Sequence, residues 1–330
     1  MVAMFRVLDI FYKVLLYLAL PYTVLSIVGF DVINALQIYT LIFIFDALAG
    51  GSGWFIHRED EYEPRVGVFA IYFFTACWVL LALLVIPDIY MTYLPIIALL
   101  GFLSFLSKAN RRFDVKGFIS STLLMLTVLL LISIPLVMAF LPFILLAVLL
   151  YYVRDRFTRL KLIFACIFSS ILLILSFQDV LKLVSLASFT VMSLQIVEVP
   201  NILMQNILYA GFEEFIGRAF IPYVSAGLST YVFTTLHLPK ILTIGFTELS
   251  KVFADAGLSI YALMYSLVSS FSWICVGAIL LVHAWRRAGL FGAILTHAIV
   301  NTVIMLIGMG QPFIALAIVL TLTVASWIVR

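Results

Sequence analysis

Long apolar runs separated by short polar stretches make up most of the chain. A run of about 17–25 apolar residues is long enough to cross a membrane as a helix. The pattern therefore predicts an all-α fold, a polytopic bundle of membrane-spanning helices. The predicted spans lie near residues 10–29, 33–49, 66–86, 89–107, 162–177, 202–222, 223–238, 258–284, 288–308 and 311–329.

Two basic stretches, Lys108–Gly117 and Arg154–Lys161, flank a further apolar run over residues 118–153. Because basic loops stay in the cytoplasm, this run is predicted to cross the membrane twice, with a turn near Pro135–Pro142. One long kinked helix is the alternative, and it would place the two basic stretches on opposite sides of the membrane. With two helices the chain makes about 12 crossings, and both termini are cytoplasmic.

Three shorter features complete the predicted topology. The stretch Gly50–Gly67 is predicted to be a cytoplasmic loop, since its acidic residues contribute little to orientation. The segment 184–198 is short for a span and is predicted to be interfacial or re-entrant. The apolar N-terminus lacks a small-residue cleavage site, so it is predicted to be a first span and not a removed signal peptide.

Composition places the chain among membrane proteins. It is 65% hydrophobic and 11% charged, against about 45–50% and about 25% in a soluble globular protein. The net charge of +3, without a basic patch that contains aromatic residues, argues against a nucleic-acid partner. Cys77, Cys166 and Cys275 lie far apart in apolar runs, so we predict buried thiols that form neither a disulfide framework nor a zinc site.

Three charged residues interrupt an apolar segment in the sequence "GFEEFIGRAF". Each would cost about 2.5–3.5 kcal/mol at the centre of a membrane helix. Glu214 and Arg218 are i and i+4 neighbours, the spacing of a helical ion pair. Adjacent side chains point about 100° apart, so Glu213 is predicted to face a cavity while Glu214 pairs with Arg218.

Two further motifs place polar side chains at helical spacing in the same third of the chain. Phe233 and His237 are i and i+4 in "FTTLH", and His297 and Asn301 are i and i+4 in "HAIVN". A lone histidine in a membrane helix is often a packing residue, but ionisable residues within a membrane mark functional sites by default. We therefore expect these side chains to share one polar site with the glutamates.

The expected chemistry of such a site is hydrolysis. A glutamate removed from water is a plausible general base for a water molecule, and a neutral histidine can bind the same water. A second histidine and an asparagine can donate to an oxyanion, so the set describes peptide hydrolysis without a covalent intermediate. Two histidines and a glutamate could instead bind zinc, although no His-Glu-x-x-His motif lies on one helix.

The three motifs resemble those of the CPBP family of CAAX prenyl endopeptidases and bacteriocin-processing membrane proteins, also called the ABI family. Its patterns Glu-Glu-x-x-x-Arg, Phe-x-x-x-His and His-x-x-x-Asn are present in order, and the resemblance covers about residues 195–310. It implies a C-terminal catalytic core over residues 184–330, preceded by an N-terminal bundle of unknown role over residues 1–183.

The resemblance also implies a role for each motif residue. Glu213 would activate water and His237 would help to hold it, while His297 and Asn301 would stabilise the oxyanion. Glu214, Arg218 and Phe233 would support the site, and no cofactor is expected. The substrate would be a peptide or protein, prenylated if it is of the CAAX type, and the enzyme would be a multi-pass protein of the cell membrane.

Two alternatives to a metal-independent protease stay open at this point. The first is a non-catalytic immunity or scaffold protein on the same fold, with the long N-terminal bundle as the platform that binds a partner. The second is a zinc-dependent membrane protease built on the same histidines and glutamates. A transporter is less favoured, because the chain shows no pair of matched interrupted helices.

Overall fold

The computed structural model describes residues 14–57, 113–187, 199–214 and 226–329. Helices contain 92% of these residues, and none of them lies in a strand, which confirms the all-α prediction. The described helices are α1 (Leu20–Val28), α2 (Val32–His57), α3 (Val115–Ile132), α4 (Pro135–Tyr152), α5 (Arg156–Ala187), α6 (Val199–Glu214), α7 (Ala226–Pro239), α8 (Phe246–Asp255), α9 (Ile260–Gly308) and α10 (Pro312–Ile328). π-helical segments, Leu15–Ala19 and Lys240–Gly245, precede α1 and α8.

Five of the described helices are long and apolar enough to cross a membrane, namely α2, α3, α4, α5 and α9. α10 and the stretch Leu16–Val28 are shorter apolar helices. The chain is therefore a membrane protein. The predicted spans near 66–86 and 89–107 lie outside the described residues, so the count of about 12 crossings stays a prediction.

The apolar run over residues 118–153 forms two helices, as predicted, and not one kinked helix. α3 ends at Ile132 and α4 begins at Pro135. Ile134 has an extended backbone, with ψ of 125°, because a residue before proline is disfavoured in the α region. Pro135 then occupies the start of α4, where its missing N–H costs no helical hydrogen bond.

Two stretches predicted as loops are partly helical. α2 continues to His57 through the glycines of "AGGSGW". Gly53 lies against α7, at a point where a Cβ would be 2.8 Å from the Gly227 carbonyl oxygen. α5 begins at Arg156 because the Asp155 carboxylate accepts a hydrogen bond from the Thr158 backbone N–H at 2.9 Å. Such N-terminal capping satisfies a donor that the helix leaves unpaired.

The long helix α9 turns back at Gly289, whose φ of 72° and ψ of −177° are accessible essentially to glycine alone. The arms on both sides of this glycine contact α3. A Cβ on Gly277 would lie 3.9 Å from Met125, and the hydroxyls of Thr296 and Thr122 are 2.9 Å apart. Residues 260–288 and 290–308 are thus two helical arms, close to the two spans that the sequence predicts there.

The chain divides into two compact units. Among the described residues, the first unit contains 14–57, 134–187 and 226–276, and the second contains 113–133, 199–214 and 277–329. α2 is central in the first unit, where it packs on α4, α5 and α7. The predicted division into an N-terminal bundle over residues 1–183 and a core over residues 184–330 stays a prediction.

Candidate functional site

His297 lies between the two adjacent glutamates in the second unit. Its Nδ1 is 2.9 Å from Glu214 Oε1, and its Nε2 is 3.5 Å from Glu213 Oε2. The Glu214 side chain is fully buried and His297 is 7% exposed, whereas Glu213 is 22% exposed. Glu213 is thus the more exposed of the two carboxylates, and the cavity that it is expected to face stays a prediction.

The glutamates occupy the C-terminal end of α6, which packs against the second arm of α9. At one end of this contact, the Asn206 side-chain amide donates to Thr302 Oγ1 at 3.0 Å. Ala210 and Ala298 are fully buried between them, and such small residues allow close approach of membrane helices. Asn206 contacts Thr302, whereas Glu214, farther along α6, contacts His297, which precedes Thr302 on α9. The two helices are therefore antiparallel, and the C-terminal end of α6 lies at His297.

α3 holds the second arm of α9 in place beside the site. Thr296, the neighbour of His297, is fully buried and hydrogen-bonded to Thr122 of α3. At the start of α3, Gly117 lies so close to the Arg287 backbone that an added Cβ would be 2.6 Å from the carbonyl oxygen. The second arm of α9, which carries His297, is therefore held against α3 both near the Gly289 turn and at the residue before the histidine.

The contacts of His297 limit which protons it can carry. An ionised Glu214 only accepts hydrogen bonds, so in that state its contact with His297 places a proton on Nδ1. In the neutral ring Nε2 is then an acceptor, and it could donate to an oxyanion only if the ring carried both protons. Glu213 Oε2 lies on the Nε2 side at 3.5 Å, and this contact is an ion pair only when the ring carries both protons.

Phe233 and His237 lie on α7, in the first unit. The Nδ1 of His237 is 2.8 Å from the Phe233 carbonyl oxygen, and the two rings are 4.8 Å apart. Since a carbonyl only accepts, Nδ1 carries the proton and Nε2 of the neutral ring is an acceptor. This tautomer suits the predicted role of His237, in which Nε2 accepts a hydrogen bond from water.

The structure brings together part of the predicted set. Glu213, Glu214 and His297 are in contact, and Asn301 follows His297 by one helical turn in the same unit. Arg218 lies outside the described residues, so its pairing with Glu214 stays a prediction. The contact between Glu214 and His297 was not predicted, because a helical spacing within one segment gives no information about a partner helix.

Sequence reasoning missed a second polar cluster, centred on Asp46 of α2. Lys161 Nζ is 3.0 Å from Asp46 Oδ2, and the hydroxyls of Tyr17 and Tyr231 donate to the same carboxylate at 2.8 and 3.2 Å. The signal that could have found it is a single carboxylate in the uncharged stretch "LIFIFDALAGG", because an acid within a membrane helix requires a partner.

Comparisons with protein-family models, with curated proteins and with solved structures found no match to this chain. Among the described residues, no group of three or more His, Cys, Asp or Glu is arranged to hold a metal ion. Membership of the CPBP family and the absence of a metal both stay predictions.

Proposed function

We propose that the chain is an intramembrane endopeptidase, similar to the CPBP family, that hydrolyses a peptide bond with water activated by Glu213. The observation that carries the proposal is the placement of His297 between Glu213 and Glu214 in a largely buried site. Carboxylates within an apolar helical protein are costly unless they are paired, and ionisable side chains there mark functional sites by default. The contact of His297 with the two glutamates would bring a general base and a donor for an oxyanion to one place, as peptide hydrolysis requires.

The proposed reaction uses one water and no covalent intermediate. Glu213 accepts a proton from water, whose oxygen attacks the substrate carbonyl carbon, and His237 holds that water through Nε2. The resulting oxyanion accepts hydrogen bonds from Asn301 and from the doubly protonated ring of His297, donors of the kind that stabilise such charge. The proton then passes from Glu213 to the leaving amine as the C–N bond breaks.

Glu214 has a supporting role in this scheme. Its carboxylate accepts from Nδ1 of His297 at 2.9 Å, which fixes the ring orientation and leaves Nε2 directed towards Glu213. A charge-assisted hydrogen bond of this kind is about twice as strong as a neutral one. The proposal assigns Arg218 the second half of the same support, as the counter-ion of Glu214.

The substrate class follows from the resemblance alone. We propose that the enzyme is a multi-pass protein of the cell membrane with both termini in the cytoplasm. Its substrate would be a peptide or protein, and CAAX-type C-terminal processing is the first class of reaction to test. The N-terminal bundle has no assigned role in this proposal.

The test is incubation of the purified protein with a prenylated CAAX peptide and with the same peptide lacking the prenyl group. Mass spectrometry of the products identifies the bond that is cut. Cleavage of either peptide by the wild type, absent with Glu213→Gln, supports the proposal, and a preference for the prenylated peptide supports the CAAX class. Cleavage of neither peptide would refute the CAAX class, and equal cleavage by the variant would refute the role of Glu213 as the base.

A further inference from the structure

The carboxylate of Asp46 accepts hydrogen bonds from side chains on three other helical segments in the first unit. Tyr17 comes from the π-helical segment before α1, Lys161 from α5 and Tyr231 from α7. Asp46 is 7% exposed and lies near the middle of α2, a helix long and apolar enough to span a membrane. An ionisable side chain in such a place is a candidate for a functional role, with its partners named.

The cluster joins α7 to α2 over a long contact. Tyr231 donates to Asp46 from the middle of α7. Near the start of α7, the Gly227 carbonyl oxygen lies 2.8 Å from the position that a Cβ on Gly53 would occupy. The close backbone approach sets the distance between the helices at this point, and the hydroxyl of Tyr231 adds a directional contact one turn farther along α7.

His237 moves with α7 as one body. Its Nδ1 is hydrogen-bonded to the Phe233 carbonyl one turn earlier, so the ring is tied to the backbone of its own helix. The ring lies about 9 Å along the axis from Tyr231, at a rise of 1.5 Å per residue, and side-chain ends lie about 5–6 Å from the axis. A rotation of about 10° therefore displaces the ring by about 1 Å.

We infer that Asp46 and Tyr231 are positioning residues, which set the rotation of α7 and thereby the place of His237. A misplacement of about 1 Å can reduce a rate about 100-fold, so the hydroxyl bond matters even though its own free energy is small. The catalytic part of this inference rests on the proposed function, whereas the placement of the ring does not. The inference gives the N-terminal bundle a role, because α2 belongs to it.

The chain offers a matched pair of variants. Tyr231→Phe and Tyr17→Phe each remove one hydroxyl donor from the same carboxylate, but Tyr17 lies on a segment that carries no candidate site residue. We expect Tyr231→Phe to lower kcat about 10- to 100-fold with KM unchanged, and Tyr17→Phe to leave both unchanged. Equal effects of the two variants, or an unchanged kcat in Tyr231→Phe at wild-type thermal stability, would overturn the inference.

A second readout separates this inference from the proposed function. The chain has 4 histidines, so their Cε1–H signals can be resolved by NMR in detergent micelles and His237 assigned with His237→Gln. Tyr231→Phe should shift the His237 signal and Tyr17→Phe should leave it in place, whether or not any peptide is cleaved. An unchanged His237 signal in Tyr231→Phe would refute the positioning role even in an active enzyme.

Discussion

The ion pair between Asp46 and Lys161 in the first unit can be tested quantitatively through the free energy that couples the two side chains. At 3.0 Å, two unit charges attract by about 5–6 kcal/mol at an effective dielectric constant of about 20. Desolvation offsets much of this gain. The side chain of Asp46 is 8% exposed and that of Lys161 is 29% exposed, so the pair stands between a buried and a surface ion pair. We expect a coupling free energy of about 2 kcal/mol.

The assay is a double-mutant cycle. Asp46→Asn, Lys161→Met and the double variant are unfolded by SDS titration of mixed micelles, and the free energies of unfolding are compared. Asp46→Asn should cost about 2–3 kcal/mol, because it leaves a partly buried ammonium without its counter-ion. Lys161→Met should cost less, since Tyr17 and Tyr231 still donate to the carboxylate.

The pair Glu248 and Lys251 of α8 is the internal control. Their charged atoms are 3.4 Å apart, but the side chains are 68% and 71% exposed. An exposed pair contributes little to stability, so its cycle should give no resolvable coupling. If Asp46 and Lys161 also coupled by less than about 0.5 kcal/mol, they would not form the buried ion pair on which the reasoning depends.

Two further predictions concern the second unit. Gly117→Ala should lower the free energy of unfolding by about 1–3 kcal/mol, because the added Cβ would overpack against the Arg287 backbone. Gly211→Ala is the control: its Cβ would meet no atom within 4 Å, so it should raise the free energy of unfolding by about 0.5–1 kcal/mol. Equal effects of the two variants in SDS unfolding would contradict the close contact at Gly117. His297→Gln places an amide donor near the position of Nε2, whereas His297→Asn places one near the position of Nδ1. If Nε2 donates to the oxyanion, the rate of peptide cleavage should be about 10- to 100-fold higher in the Gln variant than in the Asn variant. A higher rate in the Asn variant would refute the oxyanion role.

The helices themselves were largely predictable, because long apolar runs in a membrane protein leave few other structures open to the backbone. The boundaries were less so. Gly51 and Gly53 look like loop residues in the sequence, yet they lie within α2, where a Cβ on Gly51 would be 3.0 Å from Leu162 and a Cβ on Gly53 would be 2.8 Å from the Gly227 carbonyl oxygen. These neighbours are distant in sequence, so no local pattern could show them.

Part of the polar cluster followed from the sequence, because Glu213, Glu214 and His297 were expected to share one site and are in contact. The pairing of Glu214 with Arg218 stays a prediction. His297 as the partner of Glu214 was not visible, since it depends on the antiparallel packing of α6 and α9. Asp46 was overlooked for a related reason: its partners come from three separate parts of the chain, and no motif links them.

The most direct test of the central claim compares Glu213→Gln with Glu214→Gln in peptide cleavage and in thermal stability. If Glu213 activates water, Glu213→Gln should lose about 10²–10⁴-fold in cleavage rate with a nearly unchanged melting temperature. Glu214 is fully buried against His297, so Glu214→Gln should lower the melting temperature as well, since a hydrogen bond to a charged group contributes about 1.5–3 kcal/mol. Undiminished cleavage by Glu213→Gln would contradict the account.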